Sequence, residues 1–282
     1  MYFCQLWATS LAALTLTTSA FAARPCDEFY ARLPNVSWAL CEAAQLQGGS
    51  AKSVKGRTIF TRDIEPDQAN QRVLVIGGIH GDELSSASVA LHWIRLAQAA
   101  PEQIHWRFIP ALNPDGLFGK PARRVNANGV DLNRNFPTPN WAHDAAIYWE
   151  QRTRKDPRRW PGKYPLSEPE TQYLHEEIQQ FKPNLIVSIH APYGVLDFDG
   201  PKEPPRKLGR LFLSQVGIFP GSLGNYGGVQ GGLPVVTIEL PSALLTPRNV
   251  EIERMWRDLG QWMGESMAQN TLQAPEPGDT QE

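Results

Sequence analysis

Three short runs, Val73-Leu74-Val75-Ile76, Leu185-Ile186-Val187-Ser188-Ile189 and Val235-Val236-Thr237-Ile238, carry no charge and constrain this chain more than any other feature. Each is too short for a core helix and is largely apolar on both faces, as strands are inside a sheet covered on both sides. Between them the period changes. Glu83 to Ala99 places Leu84, Ala87, Leu91, Ile94 and Leu96 on one helical stripe, and Ser167-Glu168-Pro169-Glu170 opens a second helix running to about Phe181. Strands alternating with helices predict an α/β fold, a three-layer α/β/α sandwich around a mixed, largely parallel sheet.

Around that frame, Ser53 to Asp63 reads as an early strand. Ile104 to Leu112 reads as another, ended by the turn Asn113-Pro114-Asp115-Gly116, and Val250 to Met267 as a closing amphipathic helix. Residues 137–166, rich in Pro, Trp and Arg, read as an ordered excursion, and Gly217 to Gly232 as a glycine-rich surface segment. With 282 residues and 41% hydrophobic content, one large domain over residues 23–270 is expected, followed by a disordered polar tail at 271–282.

The polar residues at the strand exits carry the chemistry. His80 follows the first run across Gly77-Gly78 with Glu83 three residues on, His190 ends the second run and Glu239 the third. An open sheet offers a crevice at its strand C-termini, so these four side chains are expected to converge there. Two imidazoles and a carboxylate form a zinc set that leaves a fourth position open, as catalytic sites require. One Zn2+ per chain is expected on His80, Glu83 and His190. Glu239 is the candidate general base and acid, since a carboxylate in so apolar a run is costly unless function or pairing retains it.

Charge and leader bound the partners and the compartment. A net charge of -2 gives no electrostatic grip on nucleic acid or anionic lipid. Residues 1–22 hold no charged side chain, include the apolar stretch Leu11 to Leu16 and end in Ala20-Phe21-Ala22. A cleavable export signal is therefore expected, and a membrane span is not, because the stretch falls short of the roughly 20 residues a span needs. The mature chain, periplasmic or secreted, would keep Cys26 and Cys41. An oxidising compartment would join that pair as a disulfide, the alternative being two buried thiols.

Read together, His80-Gly81-Asp82-Glu83, Asn113-Pro114-Asp115-Gly116, the long stretch Arg124 to Phe136, Ser188-Ile189-His190 and Thr237-Ile238-Glu239 stand in a characteristic order. This order resembles the zinc carboxypeptidases of the funnelin (M14) type over roughly residues 70–265. Within them it is most similar to the bacterial murein peptide amidases, whose pattern R-x-N-A-N-G-V-D-L-N-R-N-F-P is matched from Arg124 to Pro137.

The resemblance implies that His80, Glu83 and His190 hold the metal and that Glu239 moves the proton. It implies that Arg124 polarises the scissile carbonyl and steadies the oxyanion, although Arg123 could exchange roles with it by sequence alone. Asn133 and Arg134 would grip the substrate's free carboxylate, and Asp131 would fix the tautomer of His80 through the ring's far nitrogen. Tyr226 is a tempting analogue of the mobile tyrosine of digestive relatives, but its short spacing reads better as a plain loop tyrosine.

For substrate, the resemblance implies the γ-D-glutamyl to meso-diaminopimelate amide of peptidoglycan stem peptides, with a general peptide-scavenging carboxypeptidase as the alternative. Gly217 to Gly232 should wall the pocket for the leaving residue. Asp197 and Asp199 could serve its polar groups, or form an exposed acidic loop. Aspartoacylase-like and desuccinylase-like acyl hydrolases share part of the motif set, but append a β-rich domain where this chain has a helix and a polar tail. A non-catalytic peptidoglycan-binding module would have lost a ligand or the base, and none is missing. Oligomeric state is left open.

Overall fold

The computed structural model describes residues 24–99 and 103–272. The predicted export signal and the tail from Gln273 onward lie outside the described residues. The strands in chain order are β1 (Gln47–Lys52), β2 (Thr58–Ile64), β3 (Gln71–Ile76), β4 (Ile104–Ile109), β5 (Leu185–His190), β6 (Val195–Asp199), the short pair β7 (Lys207–Leu208) and β8 (Leu211–Phe212), and β9 (Val235–Glu239). The helices are α1 (Pro25–Arg32), α2 (Trp38–Ala44), α3 (Leu84–Ala99), the single turn α4 (Pro114–Leu117), α5 (Trp141–Ile147), α6 (Pro169–Phe181) and α7 (Asn249–Leu272).

Seven strands form one sheet in the order β1-β2-β4-β3-β5-β9-β6. The four central strands, β4, β3, β5 and β9, run parallel, and antiparallel strands close both edges. The charge-free runs are the middle of this sheet, and strand alternation divides each run between two cores. Val73 and Val75 of β3, Val187 and Ile189 of β5, and Val236 and Ile238 of β9 pack under α1, α2, α3 and α7. Leu74 and Ile76, Ile186 and Val235 point the other way, onto Leu174, Ile178 and Phe181 of α6. These side chains are fully or almost fully buried, and each aliphatic one contributes about 2 kcal/mol by leaving water. The result is the expected three-layer sandwich.

Several local readings change. The early strand is a hairpin of β1 and β2 joined through Ser53 to Arg57; β1 escaped notice because Gly48-Gly49 and its polar neighbours present no apolar face. Strand β6 was unforeseen because its alternation is only four residues long, with Leu196 and Phe198 entering the core and Asp197 and Asp199 on the other face. Helix α7 continues to Leu272, two residues into the segment expected as tail. The disulfide Cys26–Cys41 is present and ties α1 to α2, with both cysteines buried.

Candidate metal centre and its pocket

Strand ends and one interlocked loop build the centre. β5 and β9 are in register with His190 opposite Glu239, so both side chains arrive at the same edge of the sheet. His80 and Glu83 come from the loop between β3 and α3, which is held by the segment after β4. A side chain at Gly81 would stand 2.2 Å from the Gly116 carbonyl carbon and 2.4 Å from the Leu117 nitrogen, so only glycine allows that approach. Asn113 caps the turn α4 through the Gly116 N–H at 2.9 Å and donates its side-chain amide to the Arg124 carbonyl at 3.1 Å. The Asn113 to Gly116 turn thus braces both the His80 loop and Arg124.

His80 Nδ1 lies 2.8 Å from Glu83 Oε1, and His190 Nδ1 lies 3.1 Å from Glu83 Oε2 and 3.2 Å from His80 Nδ1. All three side chains are buried, and their donor atoms lie within 4.8 Å of one another. Two inward-facing imidazole nitrogens beside a carboxylate can share a single proton or together hold a cation. The outer nitrogens are already engaged: His80 Nε2 with Asp131 Oδ1 at 3.0 Å, and His190 Nε2 with the Ser188 hydroxyl at 3.0 Å. With the outer nitrogens donating to these partners both Nδ1 lone pairs turn inward, and the residues fit a zinc ion. The Ser188 contact was not foreseen, although Ser188 stood in the quoted strand end.

Asp131 also binds Arg124, whose Nε and Nη2 lie 3.1 and 3.0 Å from Asp131 Oδ2, while Nη1 stands 3.5 Å from Glu83 Oε1. Burial pushes the Asp131 carboxyl up, but Arg124 and His80 override it and hold Asp131 well below the ordinary carboxylate range. Glu83 behaves alike, with burial opposed and outweighed by the two imidazoles. Arg123 is exposed, and Arg124 is the arginine that lines the pocket.

The pocket itself is a cavity of about 230 Å³. Asn133 and Arg134 form one wall, on the turn that follows Asp131. The Asn133 amide oxygen accepts the Leu223 N–H at 2.8 Å, which leaves its NH2 for a ligand. Arg134 is 4% exposed, its guanidinium lies 4.4 Å from the Phe219 ring centroid, and its Nε has no hydrogen-bond partner among the described residues. Glu239 is 7% exposed with Oε2 likewise unpartnered. Burial raises the Glu239 pKa, with His190 opposing and Glu83 adding to the rise.

Gly217 to Gly232 is exposed at both ends and buried in its middle, and it walls the pocket as expected. Its first half lines the pocket through Gly217, Phe219 and Ser222, and Gly224–Gln230 coils into a π-helical turn with Gly227 and Gly228 buried. Asp197 and Asp199 are not an exposed loop, since both sit on β6 and line the cavity. Tyr226 does not line the cavity. Its hydroxyl is 2.7 Å from His175 Nδ1 on α6 and its ring stacks on Phe136, away from the cavity. The excursion at 137–166 adds two unforeseen rim residues, Arg159 and Arg158, the latter 2.8 Å from Asp82 Oδ2.

A zinc carboxypeptidase family model, Peptidase M14, matches residues 48–199, a stretch that includes His80, Glu83, Arg124, Asp131, Arg134 and His190. The chain belongs to the M14 zinc carboxypeptidase family. Zinc is the metal of this family, and His80, Glu83 and His190 are the group that could bind it. Among curated M14 relatives, murein peptide amidase A of Vibrio campbellii is 34% identical over 199 residues, covering 67% of this chain and 77% of the relative. Its counterpart from Escherichia coli K12 is 34% identical over 168 residues, covering 57% and 68%. The crystal structure of a murein-tripeptide amidase from Escherichia coli O157 superposes with a TM-score of 0.55 at 25% identity, covering 84% of this chain and 95% of that one. Glu239 lies beyond the matched family segment, and its place beside the M14 ligands rests on the β5–β9 register.

Proposed function

We propose that this chain is an exported zinc metallocarboxypeptidase that hydrolyses the γ-D-glutamyl–meso-diaminopimelate amide of peptidoglycan stem peptides. The likeness to the murein peptide amidases, with 77% of the Vibrio campbellii relative covered, carries the substrate assignment. Export is read from residues 1–22 and is supported by the Cys26–Cys41 disulfide, which belongs to an oxidising compartment. No described helix is long and apolar enough to cross a membrane.

His80, Glu83 and His190 would hold the zinc. Bound there, zinc polarises a carbonyl and brings the pKa of a coordinated water to about 7. Asn133 and Arg134 receive the carboxylate of the leaving residue: an unpartnered, buried guanidinium edge is a ready donor for it. Arg124 presents its Nη1 end beside Glu83, where it can donate to the oxygen on which charge develops. Asp131 spans His80 and Arg124 and so fixes both orientations at once. Glu239 accepts the proton of the attacking water and returns it to the departing nitrogen; its raised pKa suits a group that must both take and give.

Mass spectrometry of L-Ala-γ-D-Glu-meso-diaminopimelate and of ordinary L-peptides, incubated with purified mature protein with and without a zinc chelator, tests the reading. Chelator-sensitive release of diaminopimelate from the first substrate is expected. Cleavage of ordinary peptides alone would move the protein to the general scavenging carboxypeptidases.

A further inference from the structure

Arg124 and Asp131 meet at 3.0 and 3.1 Å because the chain between them turns back on itself, and the proposed reaction leaves open what holds that turn. It closes on one side chain. The Asn126 N–H donates to the Val130 carbonyl at 3.0 Å, and the Asn126 side-chain oxygen accepts the N–H groups of Asn128 at 3.1 Å and of Val130 at 3.0 Å. Gly129, at φ +81°, takes the left-handed conformation through which the chain returns.

Two acids grip the other end of the same amide. Asn126 Nδ2 donates to Glu168 Oε2 at 2.7 Å and to Glu170 Oε2 at 3.1 Å, and Asn128 Nδ2 donates to Glu168 Oε2 at 2.8 Å. Asn126, Glu168 and Glu170 are all buried. Carboxylates accept hydrogen bonds, so they compel the NH2 of Asn126 to face them and its oxygen to face the loop. Glu168 stands at the N-cap of α6 yet makes no capping bond there, and its oxygens go to Ser167, Asn126 and Asn128 instead. Among the described residues neither glutamate forms an ion pair, and Arg57 is turned to Asp115 at 3.5 Å. Burying two acids without a countercharge is costly, and what they hold in return is the amide of Asn126.

The two ends of the loop are not held alike. Asp131 has an anchor of its own, its N–H donating to the Trp160 carbonyl at 2.8 Å, and its carboxylate is tied to His80. Arg124 precedes Asn126 by two residues, and its side chain is fixed by Asp131 alone at hydrogen-bond distance below 3.5 Å. A shift of the Asn126 loop would therefore be felt first at Arg124. We infer that Asn126, Glu168 and Glu170 are positioning residues for the reaction, fixing through the Asn126 loop the pose in which Arg124 meets Asp131 and presents Nη1 beside Glu83. The inference rests on the role proposed above for Arg124. None of the three residues lines the cavity, so they act on the rate through Arg124 and not on the grip of the substrate carboxylate.

The experiment compares Asn126→Asp, Glu170→Gln, the double variant Asn126→Asp/Glu170→Gln and Arg124→Gln as purified zinc-loaded proteins, with kcat expressed per bound zinc. L-Ala-γ-D-Glu-meso-diaminopimelate and an N-acyl dipeptide both serve as substrates, so that the comparison survives the loss of the cell-wall assignment. Asn126→Asp sets a third carboxylate against the other two. It is expected to lower kcat about 10- to 100-fold, the scale of a displaced catalytic group, with KM changed less than about twofold. Glu170→Gln, which turns an NH2 toward an NH2, is expected to lower kcat less. The double variant reverses donor and acceptor at unchanged total charge and should recover most of the loss, which a change in bulk stability would not produce per bound zinc. Wild-type kcat per zinc in both single variants, or no recovery in the double variant, would overturn the inference while an impaired Arg124→Gln keeps the role of that arginine. Full kcat in Arg124→Gln would overturn both.

Discussion

The two sides of the pocket are built differently. On the side of His80, every polar atom near the donors has a protein partner: Asp131 serves His80 and Arg124 together, Ser188 serves His190, and the Ala191 N–H reaches Glu83 Oε2 at 3.2 Å. Across the cavity, among the described residues, Glu239 Oε2 and Arg134 Nε are buried without partners, and Asp199 has no countercharge. A satisfied buried network rigidifies, whereas unsatisfied buried groups are costly and persist where a ligand completes them. In the proposed reading the first side is a preorganised metal seat, and the second is a mould for substrate.

Substitutions should separate the two sides. The largest effect is expected at the seat: His190→Ala should abolish zinc binding at micromolar metal together with turnover, read by metal analysis and peptide hydrolysis, and retained zinc would show that the seat does not depend on this ligand. Asp131→Asn should come next. It keeps the shape but weakens the hold on His80 and Arg124, so metal affinity or activity should drop about 10- to 100-fold. Competition with a chromogenic chelator measures this, and unchanged affinity and rate would mean that the network is ornamental.

On the substrate side, Arg134→Gln should leave zinc affinity as it was and raise KM about tenfold or more for peptides ending in a free carboxylate. Peptides with an amidated C-terminus should lose little, and an equal loss on both would remove the gripping role. The smallest effect on catalysis is expected far from both sides. Cys26→Ser/Cys41→Ser should lower stability by about 3 kcal/mol in the chain-entropy model, read by denaturant unfolding, with kcat/KM unchanged.

Legibility in the sequence follows the same division. The seat could be read because His190 ends one charge-free strand and His80 and Glu83 follow another across Gly77-Gly78, and the strand ends of a parallel sheet share an edge. The central strands and helices α3, α6 and α7 were legible for a related reason, their long apolar periods. The mould was harder. Leu196-Asp197-Phe198-Asp199 does alternate, but over only four residues between Gly194 and Gly200-Pro201, so the two acids read as part of a loop. Gly217 to Gly232 could be read as pocket wall from the resemblance, but not as buried backbone, because glycine density signals a turn as readily as it signals backbone pressed against a neighbour. The rim arginines Arg158 and Arg159 sit in an irregular segment whose path no periodicity encodes.

Glu239 joins the two sides, being next to the metal ligands in the sheet and unpartnered like the mould. The most direct test is zinc content and turnover of Glu239→Gln measured on the same preparation. One zinc per chain with no detectable hydrolysis of L-Ala-γ-D-Glu-meso-diaminopimelate is the predicted result. Wild-type turnover, or loss of the zinc, would contradict the division between seat and mould.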